Sequence, residues 1–322
     1  MKQHWNPWIS EDWAVSSKVW NATSLPLITL GVLNYNRRDD LRQTLDVLTR
    51  AVQYPRYEII VVDNGSVDGS IDMVKAEYPT VRIHQTGRNA GVSARNYLIP
   101  IASGKYLFTY DDDTCPGSPA MILRIVQHLE SHPEIDVLST GYYQPISGVM
   151  ETAGWEHYRY GGDASKGFEG IFVVEGGVCF RLDALRSVGG YDEAWLGQEG
   201  MELGLRFFQS GHGIYFCPWF MTLHFFSPSP RPKGRRAFVN SRQTIWMIAK
   251  HWRLLPRLLL YACASVRRFI AMFMHRETAR DNLRGLFEGF RSVRQFSKRE
   301  PKLTWWQTVK LSRFYFFLFR WA

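Results

Sequence analysis

Lys105–Asp113 reads KYLFTYDDD, a run of β-favouring side chains that passes directly into three carboxylates. A short apolar and aromatic run bounded by polar residues is the signature of a buried strand. Ending it in Asp111-Asp112-Asp113 puts a block of negative charge at the strand's carboxyl end. Adjacent carboxylates repel one another and destabilise the chain unless a cation or hydrogen bonds neutralise them. Their oxygens suit hard divalent ions such as Mg2+ and Mn2+, which in turn hold diphosphates. In an extended segment Asp111 and Asp113 point to one side and Asp112 to the other. Asp113, helped by Asp111, is therefore the expected metal side, with Asp112 facing a ribose or sugar. The competing reading is a solvated acidic turn or a helix cap, since Thr114 and Pro116 follow.

Working back from this stretch, Leu27–Arg37 (LITLGVLNYNR) is a second apolar run with a polar exit, and Glu58–Ser70 (EIIVVDNGSVDGS) a third. Asp39 or Asp40 is placed to cap a helix whose Leu41, Leu45 and Leu48 recur at helical spacing. A helix through Met73–Tyr78, the strand VRIHQ and a helix over Ala90–Ile101 complete the pattern. Strands alternating with helices imply a largely parallel sheet with helices on both faces, and such sheets bind ligands at the carboxyl ends of their strands. Asn34–Arg37, Asp63–Ser66 and Asp111–Asp113 then share one edge. Asp63 can accept a hydrogen bond from a nucleobase imide or a ribose hydroxyl, although taken alone the segment reads more readily as an ordinary Asx turn. Arg88 and Arg95, in GRNAGVSARN, set guanidinium groups near a helix start, a combination that favours anionic ligands. The phosphate-loop ending GK[ST] and the pattern GxGxxG are both missing.

Downstream, GIFVVEGGVCF (170–180) is a further apolar run ahead of a helix at Leu182–Ser187, and MELGLRFFQSG (201–211) is a helix stopped by glycine. IYFCPWFMTLHFF (214–226) is another buried strand region, closed by the linker SPSPRPKGRR. His224 near its end is a candidate ligand, with simple packing among aromatics as the alternative. Trp155 and Trp195 fall in loops and suit either a sugar platform or packing. The four cysteines are scattered, which fits neither a zinc site nor a disulfide framework and favours a reducing compartment. No signal peptide is apparent.

These motifs in this order, LNYNR, VVDNGSVDGS, RNAGVSARN, GKYLFTYDDD, GGYDEAWLGQEGMELGLRFFQSGH and LHFF, resemble the family 2 glycosyltransferases of the GT-A fold, over roughly Leu27 to Phe226. The resemblance implies an α/β domain with a Rossmann-like, mostly parallel sheet, and an inverting transfer from a nucleotide-diphosphate sugar that requires Mn2+ or Mg2+. It implies a nucleotide-sugar pocket from Leu33, Tyr35, Arg37, Asp63, Arg88, Arg95, Asp111 and Asp112, with Tyr35 stacked on the base. Asp113, Asp111 and His224 become the metal residues. The family's acceptor-side motif carries an acid pair whose second member is the general base. Here the matching residues are Glu199-Gly200, so a glycine stands at the expected base position and Glu199, then Glu202, are the remaining candidates.

The expected organisation is a tryptophan-rich segment over 1–24, a catalytic domain over 25–228 and a helical region over 229–322. Charge divides along the same line: of 39 Lys and Arg and 30 Asp and Glu, the stretch from Arg231 onward holds 21 and 4, leaving 18 against 26 before it. No run of ~20 uncharged apolar residues suits a membrane-spanning helix. The aromatic, basic C-terminal segment TWWQTVKLSRFYFFLFRWA instead suits an interfacial helix on an anionic leaflet, with packing onto the catalytic domain or a dimer contact as alternatives. The expected acceptor is a glycan or polyprenyl-linked hydroxyl, the expected location the inner face of the cytoplasmic membrane, and no nucleic acid is expected as a partner. Two other readings remain: a nucleotidyltransferase, which would want a glycine-rich lysine loop after the first strand, and a non-catalytic scaffold of the same fold.

Overall fold

The structure, a computed structural model, describes residues 24–150, 167–225, 233–297 and 302–311. The expected tryptophan-rich segment over 1–24 lies almost wholly outside them, as does Trp155. In chain order the first half runs β1 (Ile28–Asn34), α1 (Arg38–Arg50), β2 (Tyr57–Asp63), α2 (Ser70–Glu77), β3 (Arg82–Gln85), a 3₁₀ turn (Gly91–Tyr97), α3 (Leu98–Ile101), β4 (Tyr106–Asp111), β5 (Thr114–Pro116) and α4 (Met121–Ser131). Then come β6 (Ile135–Gln144), β7 (Val149–Met150), β8 (Phe168–Gly170), β9 (Gly177–Arg181), α5 (Leu182–Val188), α6 (Glu199–Gln209) and β10 (Gly213–His224).

One sheet takes the order β3-β2-β1-β4-β9-β6-β10-β5, with β7 on β6 and β8 on β10. Its first four strands are parallel. β9 enters antiparallel between β4 and β6. The strands read as apolar runs because both faces are covered: Ile28, Leu30 and Val32 on one face of β1 are fully buried, each contributing about 1.5–3 kcal/mol of burial. Register places the functional loops. Asn34 lies beside Asp63, and Leu33 beside Val62 and Asp111, so the exits of β1, β2 and β4 come level on one edge. The helix expected over 90–101 is instead a 3₁₀ turn followed by one helical turn. Asp39 and Asp40 do not cap α1; they sit inside its first turn, and Asp68 accepts from the Arg38 N–H at 2.8 Å.

Beyond the sheet, α7 (Lys233–His251), α8 (Leu254–Met274), α9 (Ala279–Ser292), α10 (Arg294–Ser297) and α11 (Trp305–Leu311) are helical. They share a core with the sheet domain: Trp246, Met247, Trp252, Leu260, Phe296, Leu303 and Leu311 pack in one cluster with Tyr142, Trp195, Met201, Leu205 and Phe216. Trp195 is thereby a core residue, edge-on to both Trp246 and Phe296, and packing rather than a sugar platform is its role. The composition break near residue 230 is therefore not a break in packing.

Candidate active site

Hydrogen bonds across the strand ends organise the edge. Asn34 Nδ2 donates to Asp63 Oδ1 at 2.9 Å and the Ser66 N–H to Asp63 Oδ2 at 2.9 Å. Ser66 Oγ in turn accepts from Asn34 Nδ2 and from the Asn36 N–H. Asp63 is buried and holds this loop at the end of β2. Tyr35 follows the last residue of β1 and is 43% exposed. Leu33 stays partly buried in the strand. Arg88 is exposed on the loop after β3, its backbone against Gly65.

Two guanidinium groups serve the acidic run, Arg95 at Asp111 and Arg37 between Asp112 and Asp113. Asp111 is paired with the buried guanidinium of Arg95. The Tyr35 N–H donates to Asp112 Oδ2 at 3.1 Å, and Arg37 bridges Asp112 and Asp113. Thr44 Oγ1 on α1 fixes the backbone by donating to the Asp112 carbonyl at 2.8 Å. Burial, then the charge of Asp111, pushes the Asp112 carboxyl up to about 8. Burial pushes Asp113 the same way, but His224 and Arg37 outweigh it and hold its carboxyl below the usual range. His224 reaches Asp113 because β10 pairs antiparallel with β5, His224 opposite Thr114. His224 Nε2 lies 3.7 Å from Asp113 Oδ1, and the Phe225 N–H donates to the Asp113 carbonyl.

The acceptor-side motif departs further from expectation. Glu202 is 1% exposed. Lys250 Nζ lies 2.6 Å from it, Arg206 donates to both its oxygens, and His251 Nε2 is 3.2 Å away. Burial opposes its ionisation, but these groups hold the carboxyl well below the usual range. It is the buried centre of an ion-pair network and is closed to an acceptor. Glu199 begins α6 and accepts from the Gln198 N–H at 2.9 Å. A Cβ at Gly200 would lie 1.8 Å from the Val173 carbonyl oxygen and 2.8 Å from Glu175 Oε1, so the position admits only glycine. Glu175, which the sequence reading passed over, stands beside Glu199. Burial, then the charge of Glu199, pushes its carboxyl up to about 8.

Among the described residues no three His, Cys, Asp or Glu side chains converge into a self-sufficient metal site. Metals that bridge diphosphates need less from the protein, commonly one or two carboxylates plus the substrate's own phosphate oxygens. Asp113 with His224 fits that smaller demand: a carboxylate held below its usual range and an imidazole 3.7 Å from it converge at the β5–β10 end of the sheet. Asp111, drawn to Arg95, lies apart from this pair.

The profile of Glycosyl transferase family 2 matches residues 29–189. Glycosyltransferase SunS of Bacillus subtilis is 26% identical over 143 residues, 42% of this chain and 32% of SunS. A poly(ribitol-phosphate) beta-glucosyltransferase of Bacillus spizizenii is 34% identical over 101 residues, 30% of this chain and 16% of that protein. The chain thus spans a third or less of these relatives' lengths. Among solved structures, the mannosyltransferase PcManGT of Pyrobaculum calidifontis, in complex with GDP-Man and Mn2+, superposes at a TM-score of 0.57, 15% identity, covering 95% of this chain and 83% of that one. S. aureus TarS 1–349, in complex with UDP-GlcNAc, gives 0.54 at 15% identity, covering 80% and 74%. At these identities the likeness is one of fold, and the fold is GT-A.

Proposed function

The chain belongs to glycosyl transferase family 2, and from that premise we propose that it moves a sugar from a nucleotide-diphosphate sugar, a UDP-sugar by preference, to a hydroxyl of a glycan or lipid-linked acceptor, with inversion. The observation that carries this reading is the shared edge of β1, β2 and β4. There the organised loop at Asp63 after β2, the exposed ring of Tyr35 after β1 and the three carboxylates at 111–113 after β4 follow one another across the sheet. Tyr35 stacks on the base, and Asp63, with Arg88 at the loop rim, borders it. Asp112 faces the ribose or sugar, while Arg37 and Arg95 set the charge of the run. Asp113 and His224 are the residues that would hold Mn2+ or Mg2+, which would neutralise charge developing on the departing diphosphate. The neighbours' complexes with GDP-Man and Mn2+ and with UDP-GlcNAc support a donor and metal of this kind. Thermal shift against a panel of UDP-, GDP- and dTDP-sugars with Mn2+, followed by donor hydrolysis, tests the reading. A melting rise selective for one nucleotide, with turnover, is expected; no binding and no turnover with any donor overturns it.

The acceptor side of the proposal rests on α8. Its outward stripe, Leu255, Leu259, Val266, Phe269, Ile270 and Phe273, is apolar and exposed, whereas Leu260, Ala264, Arg268 and Ala271 face inward. Leu283, Phe287 and Phe290 of α9 and Trp305 and Trp306 of α11 extend the exposed apolar set. No single described helix is long and apolar enough to cross a membrane, although Leu254–Met274 and Arg276–Ser292, bent by 119°, pass together by length and composition. An apolar stripe amid surplus arginine fits shallow insertion into an anionic leaflet, which would keep the enzyme peripheral on the cytoplasmic membrane beside a lipid-linked acceptor. Residues 312–322, the rest of the expected interfacial segment, lie outside the described residues.

A further inference from the structure

Gly200 and Gly204 stand one turn apart on α6, and the segment 171–175 lies directly against them. A Cβ at 204 would meet the Ile171 carbonyl oxygen at 2.1 Å, as one at 200 would meet that of Val173 at 1.8 Å. The contact is sealed by a hydrogen bond from the Val173 N–H to the Gly200 carbonyl at 3.0 Å. Two glycines therefore admit a passing backbone where side chains would have kept it away. That backbone brings Glu175 with it. Its Oε1 lies 2.8 Å from the point where a side chain at 200 would begin, is enclosed, and has no hydrogen-bond partner among the described residues. The residue as a whole is only partly enclosed.

Glu175 is also tied to the acidic edge. Tyr142 donates its hydroxyl to the Glu175 carbonyl, and the Tyr142 ring meets His224 edge-on at 5.9 Å between centroids. The next residue, Gly176, has φ +85°, and a Cβ there would fall 2.6 Å from Asp111 Oδ2, so the backbone presses against the acidic run. Glu199, by contrast, turns a carboxylate oxygen back to the Gln198 N–H at the start of its own helix.

We propose that Glu175 is the catalytic base, its carboxylate standing in for the side chain that glycine at 200 cannot supply. The inference rests on the glycosyltransferase reading above. As the acceptor oxygen forms its bond to the anomeric carbon, its proton passes to the Glu175 carboxylate. The bond from that carbon to the diphosphate oxygen breaks with its electron pair, and the nucleoside diphosphate departs. The same glycine that removes the expected base opens the path by which its replacement arrives.

The test uses the full chain, Mn2+ and whichever member of the sugar-nucleotide panel the wild-type protein hydrolyses. Glu175→Gln is expected to bind that donor with unchanged Kd and to lose turnover with water on the order of a hundred-fold or more. Azide, a nucleophile with no proton to give up, is expected to restore turnover as glycosyl azide. Glu175→Asp, which keeps the carboxylate but withdraws it by one methylene, is expected to lose about ten-fold. Wild-type turnover in Glu175→Gln overturns the assignment and leaves the glycosyltransferase reading standing. So does equal loss with water and azide while the donor still binds, since that marks a structural role. A wild-type protein that binds no donor overturns both.

Discussion

Lys250 Nζ, on the first helix beyond the sheet, reaches the carboxylate of Glu202 at 2.6 Å, inside the helix that borders the active site. The same ammonium lies 2.8 Å from Asp192 Oδ2. A basic helix from one half of the chain thus neutralises two acids of the other. Removing one member of a buried ion pair leaves an uncompensated charge, and the expected cost of Lys250→Met is about 3 kcal/mol in denaturant unfolding. The network also sets a pH dependence. Glu202 holds its proton less tightly when folded than when unfolded, so its stabilisation is fully present above the ordinary carboxyl range near pH ~4.3. It fades as pH falls through the depressed folded value. In Glu202→Gln that part of the acid-limb slope is expected to disappear. An unchanged acid limb would remove the network from the stability account.

Gly200→Ala gives a steric test that needs no substrate. With the Val173 carbonyl oxygen 1.8 Å from the new Cβ, either α6 or segment 171–175 must move, and the Val173-to-Gly200 hydrogen bond with it. A loss of about 1–3 kcal/mol is expected in equilibrium unfolding. Gly200→Asp, which writes in the family's usual acid, is expected to be worse still and to restore no activity. A stable, more active Gly200→Asp would mean that the glycine contact is loose.

The sheet and its acidic edge were legible because their signals are local. KYLFTYDDD carries its strand and its carboxylates in nine consecutive residues, and strand alternation sets the edge on which they fall. Tyr35 and Asp63 were legible for the same reason, each lying at the polar exit of an apolar run. Glu175 was not. Nothing beside it in FVVEGGVCF marks it, and its place depends on glycines at 200 and 204 that admit its backbone. Glu202 looked like an available acid because Lys250 and His251, which enclose it, come from a helix far along the chain. The Arg37 bridge to Asp112 and Asp113 was hidden likewise: sequence pattern gives the edge but not which guanidinium turns towards which carboxylate.

Asp113→Asn tests the metal side. The substitution keeps the side chain's shape but removes the charge that His224 and Arg37 sustain. It is expected to abolish any Mn2+-dependent rise in melting temperature with nucleotide and to reduce donor turnover on the order of a hundred-fold or more. Asp111→Asn, whose partner is Arg95, is expected to weaken turnover with the Mn2+ response retained. Titrating Mn2+ into both variants by calorimetry separates them, and equal loss of metal binding would place Asp111 in the metal site as well.

Tyr35→Ala addresses the other end of the pocket. The residue is 43% exposed, so stability is expected to change little. Loss of a base-stacking surface is worth ~1–3 kcal/mol, which predicts a rise in nucleoside-diphosphate Kd of about ten-fold or more. Tyr35→Phe keeps the stacking face and is expected to bind as the wild type does. Equal affinity in the alanine variant would move the base elsewhere on the edge.

The outward stripe of α8 makes the last prediction. Leu259 and Phe273 are 67% and 78% exposed, so replacing both with aspartate removes apolar surface from water without opening a core. Their burial in a bilayer is worth ~1.5–3 kcal/mol each, and the new charges also oppose an anionic surface. Leu259→Asp with Phe273→Asp is therefore expected to lower partition into phosphatidylglycerol-containing vesicles by about a hundred-fold, with melting temperature held or raised. Vesicles of phosphatidylcholine alone should bind the wild-type chain more weakly, and added salt should narrow the gap between the two lipids. If the wild-type chain stays in the supernatant with both, the stripe has another partner and the lipid-linked acceptor loses its physical support.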